Sequence, residues 1–201
     1  MKFSTWLENR KRLPIVKKKM FIIMRGAPGA GKSRRVRELL IKYGGDENHV
    51  FSTDNLWIPE TLKKRTAGED VSEKDELEEY LRNHPDTDKA RLAKGHQSIL
   101  EQVRRTMDNG VSPIILDNTS VMWQFIKSYV NYAKKQGYEI KLEEPTSPWW
   151  LAYRPFLKTK NEPKLRELLD ILKANNKHKI PEKIIWKMLN QWQEINLDKE
   201  K

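Results

Sequence analysis

Residues 26 to 33 read Gly-Ala-Pro-Gly-Ala-Gly-Lys-Ser, which fits the pattern GxxxxGK[ST]. The residue types suit one task, gripping a phosphate chain. Glycines let successive backbone N–H groups converge on an anion at close range, and a helix starting at the loop's end adds its positive pole. Lys32 then reaches the β and γ phosphates, and the Ser33 hydroxyl suits Mg²⁺. Gly26, Ala27, Pro28, Gly29, Ala30 and Gly31 form the cradle, with Arg34 as a further candidate contact to the nucleotide. The pattern specifies a nucleoside triphosphate with magnesium but not the receiver of the γ-phosphate. Two aspartates bear on that question: Asp54 closes the stretch "HVFSTD", and Asp117 opens "DNTS" after an apolar run. Phosphoryl transfer to an alcohol needs one carboxylate to take a proton and another to help position metal-bound water. The plainer reading is that each merely caps a following helix.

The elements around these residues give them a common place. "MFIIM", residues 20 to 24, is apolar on both pleat faces, as a strand covered on both sides should be, and it runs straight into the glycines. Val36, Leu39, Leu40 and Tyr43 then repeat at helical spacing until Gly44-Gly45. "HVFSTD" is a second strand, "SPIILDNTS" a third and "GYEIKLEEP" a fourth. Between them a helix is predicted from Lys89 to Met107, closed by Asn109-Gly110, and another over 121 to 136 through Trp123, Ile126, Val130 and Ala133. Residues 58 to 90 are charged and weakly periodic, so helical pieces and loop are expected there. This alternation with helical crossovers implies an α/β fold with a parallel sheet and helices on both faces, in which ligands gather at the carboxyl edge of the strands. Both aspartates then belong to the edge that holds the glycine loop.

The chain has 201 residues, enough for one sizeable core, and carries 39 Lys plus Arg against 28 Asp plus Glu, a net charge of +11. Such an excess favours polyanionic partners, nucleic acid above all. The absence of cysteine excludes disulfides and thiolate metal sites, and no metal-ligand spacing occurs among the four histidines. No apolar run approaches the roughly 20 residues of a membrane span, and the N-terminus has no signal-peptide core, so a soluble intracellular protein without membrane partners is expected. Residues 1 to 19 are a basic extension, either solvated tail or phosphate-gripping arm, and beyond Pro148 the chain is helical and Trp-rich.

In order, "MRGAPGAGKS", "VFSTD", "AKGHQ", "GVSPIILDNTS", "GYEIKLEEPTSPW" and "NNKHKIPEKI" resemble the kinase domain of the NEDD-binding-protein-two-like proteins and, more distantly, the phage-type polynucleotide 5′-kinases. The likeness spans roughly residues 20 to 192 with gaps. It implies an adenylate-kinase-like P-loop NTPase fold, a three-layer αβα sandwich with a helical lid and C-terminal extension. The kinase domain would run from 20 to 201, with lid and helical insert at about 149–180 and a C-terminal helix at about 181–195. The resemblance further implies ATP and Mg²⁺ as donor and metal, and the 5′-hydroxyl end of a nucleic acid as acceptor. Asp54 would be the general base, with Lys32 catalytic, and Ser33 and Asp117 on the metal side. His96, Asn118 and Thr119 lie in matching segments and are candidate substrate contacts.

Three departures mark this chain. Trp57 stands where the phage-type enzymes have an acceptor-gripping arginine, and suits stacking on a terminal base or ordinary packing. In "KANNKHKIP", Asn175 replaces the lid arginine, an exchange that removes a group worth 10³–10⁵ in rate, with Lys173, Lys177 and Lys179 as substitutes of poorer geometry. Arg34-Arg35 follow Ser33 where a small hydroxyl residue is usual. The insert "SPWWLAYRPFLKTKNEPKLRELLDILK" interleaves aromatics with bases, which fits a single-strand binding groove or a packed helical subdomain. A small-molecule kinase of zeta-toxin type and a non-catalytic, nucleotide-gated nucleic-acid-binding module stand as alternatives to the polynucleotide kinase.

Overall fold

A computed structural model describes residues 18–53, 85–176 and 180–200, apart from the side chains of 85–92. Strand β1, Met20–Met24, is followed by helix α1, Lys32–Tyr43, a single 3-10 turn and strand β2, Val50–Phe51. Helix α2, Pro85–Asp108, leads to strand β3, Ile114–Leu116, helix α3, Trp123–Lys135, and strand β4, Glu139–Glu143. The chain then forms α4, Pro148–Thr159, α5, Glu162–Ala174, and α6, Glu182–Asn190.

The four strands are parallel, in the order β2-β3-β1-β4, with Phe21 beside Ile114 on one flank of β1 and Ile140 on the other. Alternation along β1 divides the core. Phe21 and Ile23, with Ile114 and Leu116, pack under α2 and α3 through Ile99, Val103, Met107, Ile126 and Val130. Ile22, Met24 and Ile115 point the other way, onto Val36, Leu39 and Leu40 of α1. The expected α/β sandwich of three layers is therefore present, and each of these buried aliphatic side chains contributes about 1.5–3 kcal/mol by leaving water.

β2 and β3 are shorter than the stretches that predicted them. β2 ends at Phe51 and β3 at Leu116; Asp117 N still donates to the Phe51 carbonyl as the ladder would, and beyond it the Asn118 side chain takes over by accepting from Thr53 N. The final helix stops at Asn190, short of the expected 195, and residues 192 to 197 lead back to the sandwich, where Ile195 and Leu197 pack beside α3. Lys134 Nζ donates to the Leu197 carbonyl in support.

α4, α5 and α6 build a core of their own. Trp150, Leu157, Leu165, Leu168, Leu172, Ile185 and Trp192 pack together with Ala27 and Ala30 of the glycine loop. The aromatic residues of the insert thus serve packing: Trp150 is fully buried and meets Trp192 edge-on, ring centroids 5.4 Å apart. Arg154 and Lys160 are engaged by the fold too, Arg154 with Glu144 and Glu194, Lys160 with the carbonyls of Leu189, Asn190 and Trp192 at and just past the end of α6.

Candidate functional site

The glycine loop occupies the carboxyl end of β1, between its last residue and α1. Gly26, Gly29 and Gly31 hold φ values of 148°, 79° and 96°, a left-handed series that a side chain would strain. Gly31 caps α1 without a side-chain bond, and the first turn of α1 has no acidic residue, so its positive end is not offset from within. Lys32 Nζ curls back over the loop to the Ala27 carbonyl, 3.2 Å away, and Ser33 is exposed on the first turn. These residues fit a triphosphate. Magnesium in such sites takes few protein ligands beside phosphate and water, so the Ser33 hydroxyl and the Asp117 carboxylate are the groups that would hold it, and no cluster of three ligating residues exists among the described residues.

The helical subdomain buttresses the loop from behind. The Ser147 hydroxyl donates to the Ala30 carbonyl at 2.8 Å while accepting from Trp150 N as the N-cap of α4. Trp149 Nε1 donates to the Gly29 carbonyl at 3.2 Å. The Leu172 carbonyl of α5 lies so near Gly29 that a Cβ there would stand 2.3 Å from it.

Beside the loop lies the end of β3. Gly26 N donates to the Thr119 carbonyl at 2.9 Å, and Asp117 N to the Phe51 carbonyl at 2.8 Å, which binds the ends of β1, β3 and β2 in series. Asn118 Oδ1 accepts from both the backbone N and the hydroxyl of Thr53, each at 3.1 Å. Thr53 directly precedes Asp54. Asp117, Asn118 and Thr119 are half-buried at this edge, where the Thr119 carbonyl meets the first glycine of the loop.

Other candidates are placed differently. Arg34 pairs with Glu38 on the exposed face of α1, and Arg35 bonds Glu143 at 2.9 Å and Glu38 at 3.1 Å. Those carboxylates hold Arg35 protonated above its ordinary value, the Glu143 bond foremost. His96 is exposed on α2. Lys173 bonds Glu182 across α5 and α6, and Asn175 Nδ2 turns back to the Ile171 carbonyl. Asp54, Trp57 and Lys177 lie outside the described residues, as does Lys179.

Sequence reasoning passed over Arg25, which is only 2 % exposed although it sits between β1 and Gly26. Its one visible signal was position: a charged residue between an apolar strand and a loop that must be walled in. Ser147 and Gln193 were missed as well, and Trp149 stood only among the aromatics of the insert, because nothing in a linear pattern says which loop a helix start will touch.

A glycine loop linking a buried strand to a helix, at the carboxyl edge of a parallel β2-β3-β1-β4 sheet, defines a P-loop nucleotide-binding domain of the kinase-like kind. The chain belongs to the family whose model is described as "AAA domain", which matches residues 21–156. It is also similar to human NEDD4-binding protein 2, 24% identical over 131 residues, which is 65% of this chain and 6% of that protein. The chain thus spans a small fraction of that relative's length. Among the described residues no helix is long and apolar enough to cross a membrane.

Proposed function

We propose that the chain is an ATP- and Mg²⁺-dependent phosphotransferase that moves the γ-phosphate to the 5′-hydroxyl of a nucleic acid. The observation that carries this reading is the sequence of bonds from Gly26 through Thr119 and Asn118 to Thr53, which ties the donor loop to the residue preceding Asp54. In the reaction the 5′-oxygen gives its proton to the Asp54 carboxylate as it forms a bond to the γ-phosphorus. The bond from that phosphorus to the β–γ bridging oxygen breaks, and ADP leaves. Lys32 offsets charge on the phosphates, and Ser33 and Asp117 would hold the Mg²⁺ that would add to that neutralisation. The net charge of +11 supports a polyanionic acceptor over a small neutral one. Trp57 would stack on its terminal base and Lys177 would face its phosphates, while Asn118 contributes by holding Thr53.

The test is transfer of labelled γ-phosphate from ATP to DNA and RNA oligonucleotides bearing a 5′-hydroxyl. Label should appear on the oligonucleotide, and Asp54→Asn should lower transfer by about 10²–10⁴-fold with ATP binding nearly intact. Label on nucleosides or amino sugars alone would point to the small-molecule kinase instead. The turned-back Asn175, where a lid arginine would stand, favours one second reading, a non-catalytic module that binds nucleic acid under nucleotide control. Salt-sensitive oligonucleotide binding without transfer would establish that reading.

A further inference from the structure

We propose that Arg25 is a positioning residue that fixes the mouth of the phosphate-binding loop against the carboxyl end of β3, with the segment after α6 as its backstop. This rests on the reading of residues 26 to 33 as a nucleotide site. Arg25 Nε donates to the Ser120 carbonyl at 3.1 Å, and Nη2 donates to the carbonyls of Val121 at 3.3 Å and Gln193 at 2.6 Å. The guanidinium lies 4.2 Å from the centroid of the Trp192 ring, with Glu144 3.9 Å away on another side. One planar group thus joins three backbone segments: the loop's entry, the β3 end and the C-terminal segment.

The surroundings show how much structure is spent on this contact. Ser120 is a buried non-glycine residue at φ 46°, a left-handed conformation that L residues adopt only at a cost, and its carbonyl is the one that meets Nε. Gln193 holds the same corner from the far side, its N donating to the Val121 carbonyl at 3.0 Å and its Oε1 accepting from Trp123 N at 2.7 Å. Burial disfavours the charged guanidinium and lowers its pKa to about 10, with Glu144 acting in the opposite sense. It stays protonated at neutral pH. An arginine placed here for packing alone would be a poor choice, since removing a buried cation from water is expensive unless its bonds are used. Those bonds set the spacing between Gly26, where the donor phosphates enter, and the Asp117–Thr119 corner, because residues 119 and 120 are adjacent and Gly26 N is fixed to Thr119. Gln193 and Trp192 lie beyond residues 21–156, the span of the family match, so the backstop is added from outside it.

The experiment uses the full chain with Arg25→Lys, Arg25→Met and Trp192→Leu, reading Mg-ATP affinity by calorimetry, KM for ATP and for the oligonucleotide, and the folded state by circular dichroism. Lysine keeps the charge and loses the fork that spans three carbonyls. Folded Arg25→Lys should show Mg-ATP affinity about tenfold weaker, KM for ATP raised in step, and the oligonucleotide KM unchanged. Trp192→Leu, which removes the ring beside the guanidinium, should shift the same quantities about threefold. A role in stability alone would lower the active fraction and leave KM for ATP where it was. Wild-type Mg-ATP affinity in folded Arg25→Lys overturns the proposal. If the Arg25 variants do not fold, wild-type affinity in Trp192→Leu overturns it. Absence of Mg-ATP binding by the unaltered protein would instead remove the nucleotide reading itself.

Discussion

Gly29 and Gly44 share a conformation and differ in what surrounds them. Gly29 has φ 79° and Gly44 φ 65°, so alanine at either site meets the same left-handed penalty of about 1–2 kcal/mol. At Gly44 nothing lies within 4 Å of the added Cβ, whereas at Gly29 the Leu172 carbonyl lies 2.3 Å from it and belongs to helix backbone that cannot rotate aside. Gly44→Ala should therefore lower the unfolding free energy by about 1 kcal/mol and leave Mg-ATP binding unchanged. Gly29→Ala should cost at least about 2 kcal/mol and also abolish the rise in Tm that saturating Mg-ATP gives the wild-type chain, since the loop must move to admit the methyl group. Thermal unfolding with and without nucleotide separates the two. The glycine spacing was readable in the sequence because the phosphate site demands it. The reason for Gly29 lies in α5, some 140 residues downstream by roughly counted chain, and no local pattern carries it.

At the scale of elements, helical and strand periodicity revealed where apolar faces lie but not what they face. The insert's aromatics, Trp150 among them, were readable as interleaved with bases, and that pattern suited a nucleic-acid groove or a packed subdomain until their partners were known. The sheet order was likewise invisible, since β1 bonds to β3 and β4, neither adjacent in sequence. Arg25 was hidden for a related reason: a guanidinium reads as solvent-facing unless the carbonyls waiting for it are known. The junction of α4 with the loop shows what such docking is worth. Ser147 both caps α4 and bonds the buried Ala30 carbonyl. Ser147→Ala loses a cap worth about 1 kcal/mol and leaves a carbonyl without its donor at a further 1 kcal/mol or so. The urea midpoint should fall by an amount equivalent to about 2 kcal/mol with the m-value unchanged, which marks lost stability without loss of compactness.

For the whole molecule, the question is which of its positive charges are available to a partner. The net charge of +11 is a property of the chain, yet several bases inside it are consumed by the fold. Arg154 donates through Nε and Nη2 to Glu144, at 2.9 Å and 3.0 Å, and through Nη2 to Glu194 at 2.9 Å, while its guanidinium lies 5.2 Å from the Trp192 ring centroid. The carboxylates raise its pKa above the ordinary arginine value, with the Glu194 bond the largest cause, and Glu194 in turn is held below 4.5 chiefly by that bond. A carboxylate with a depressed folded pKa stabilises fully above its unfolded value, and that contribution fades as pH falls through the lower folded one. Arg154→Gln should therefore lower stability at neutral pH by about 1 kcal/mol, the exposed side of the pair being screened by solvent. It should also flatten the part of the acid-unfolding profile below pH 4.5 that Glu194 supplies. Under the proposed reading of a nucleic-acid acceptor, its effect on affinity for that acceptor should be different in kind. Each phosphate contact made to a single strand adds about 0.7 to the slope of log affinity against log salt, and an arginine already satisfied by two carboxylates makes none. Oligonucleotide binding measured across a salt series should give Arg154→Gln the wild-type slope. A slope shallower by about 0.7 would mean that Arg154 leaves its carboxylates for the nucleic acid, and that the aromatic insert opens when it binds.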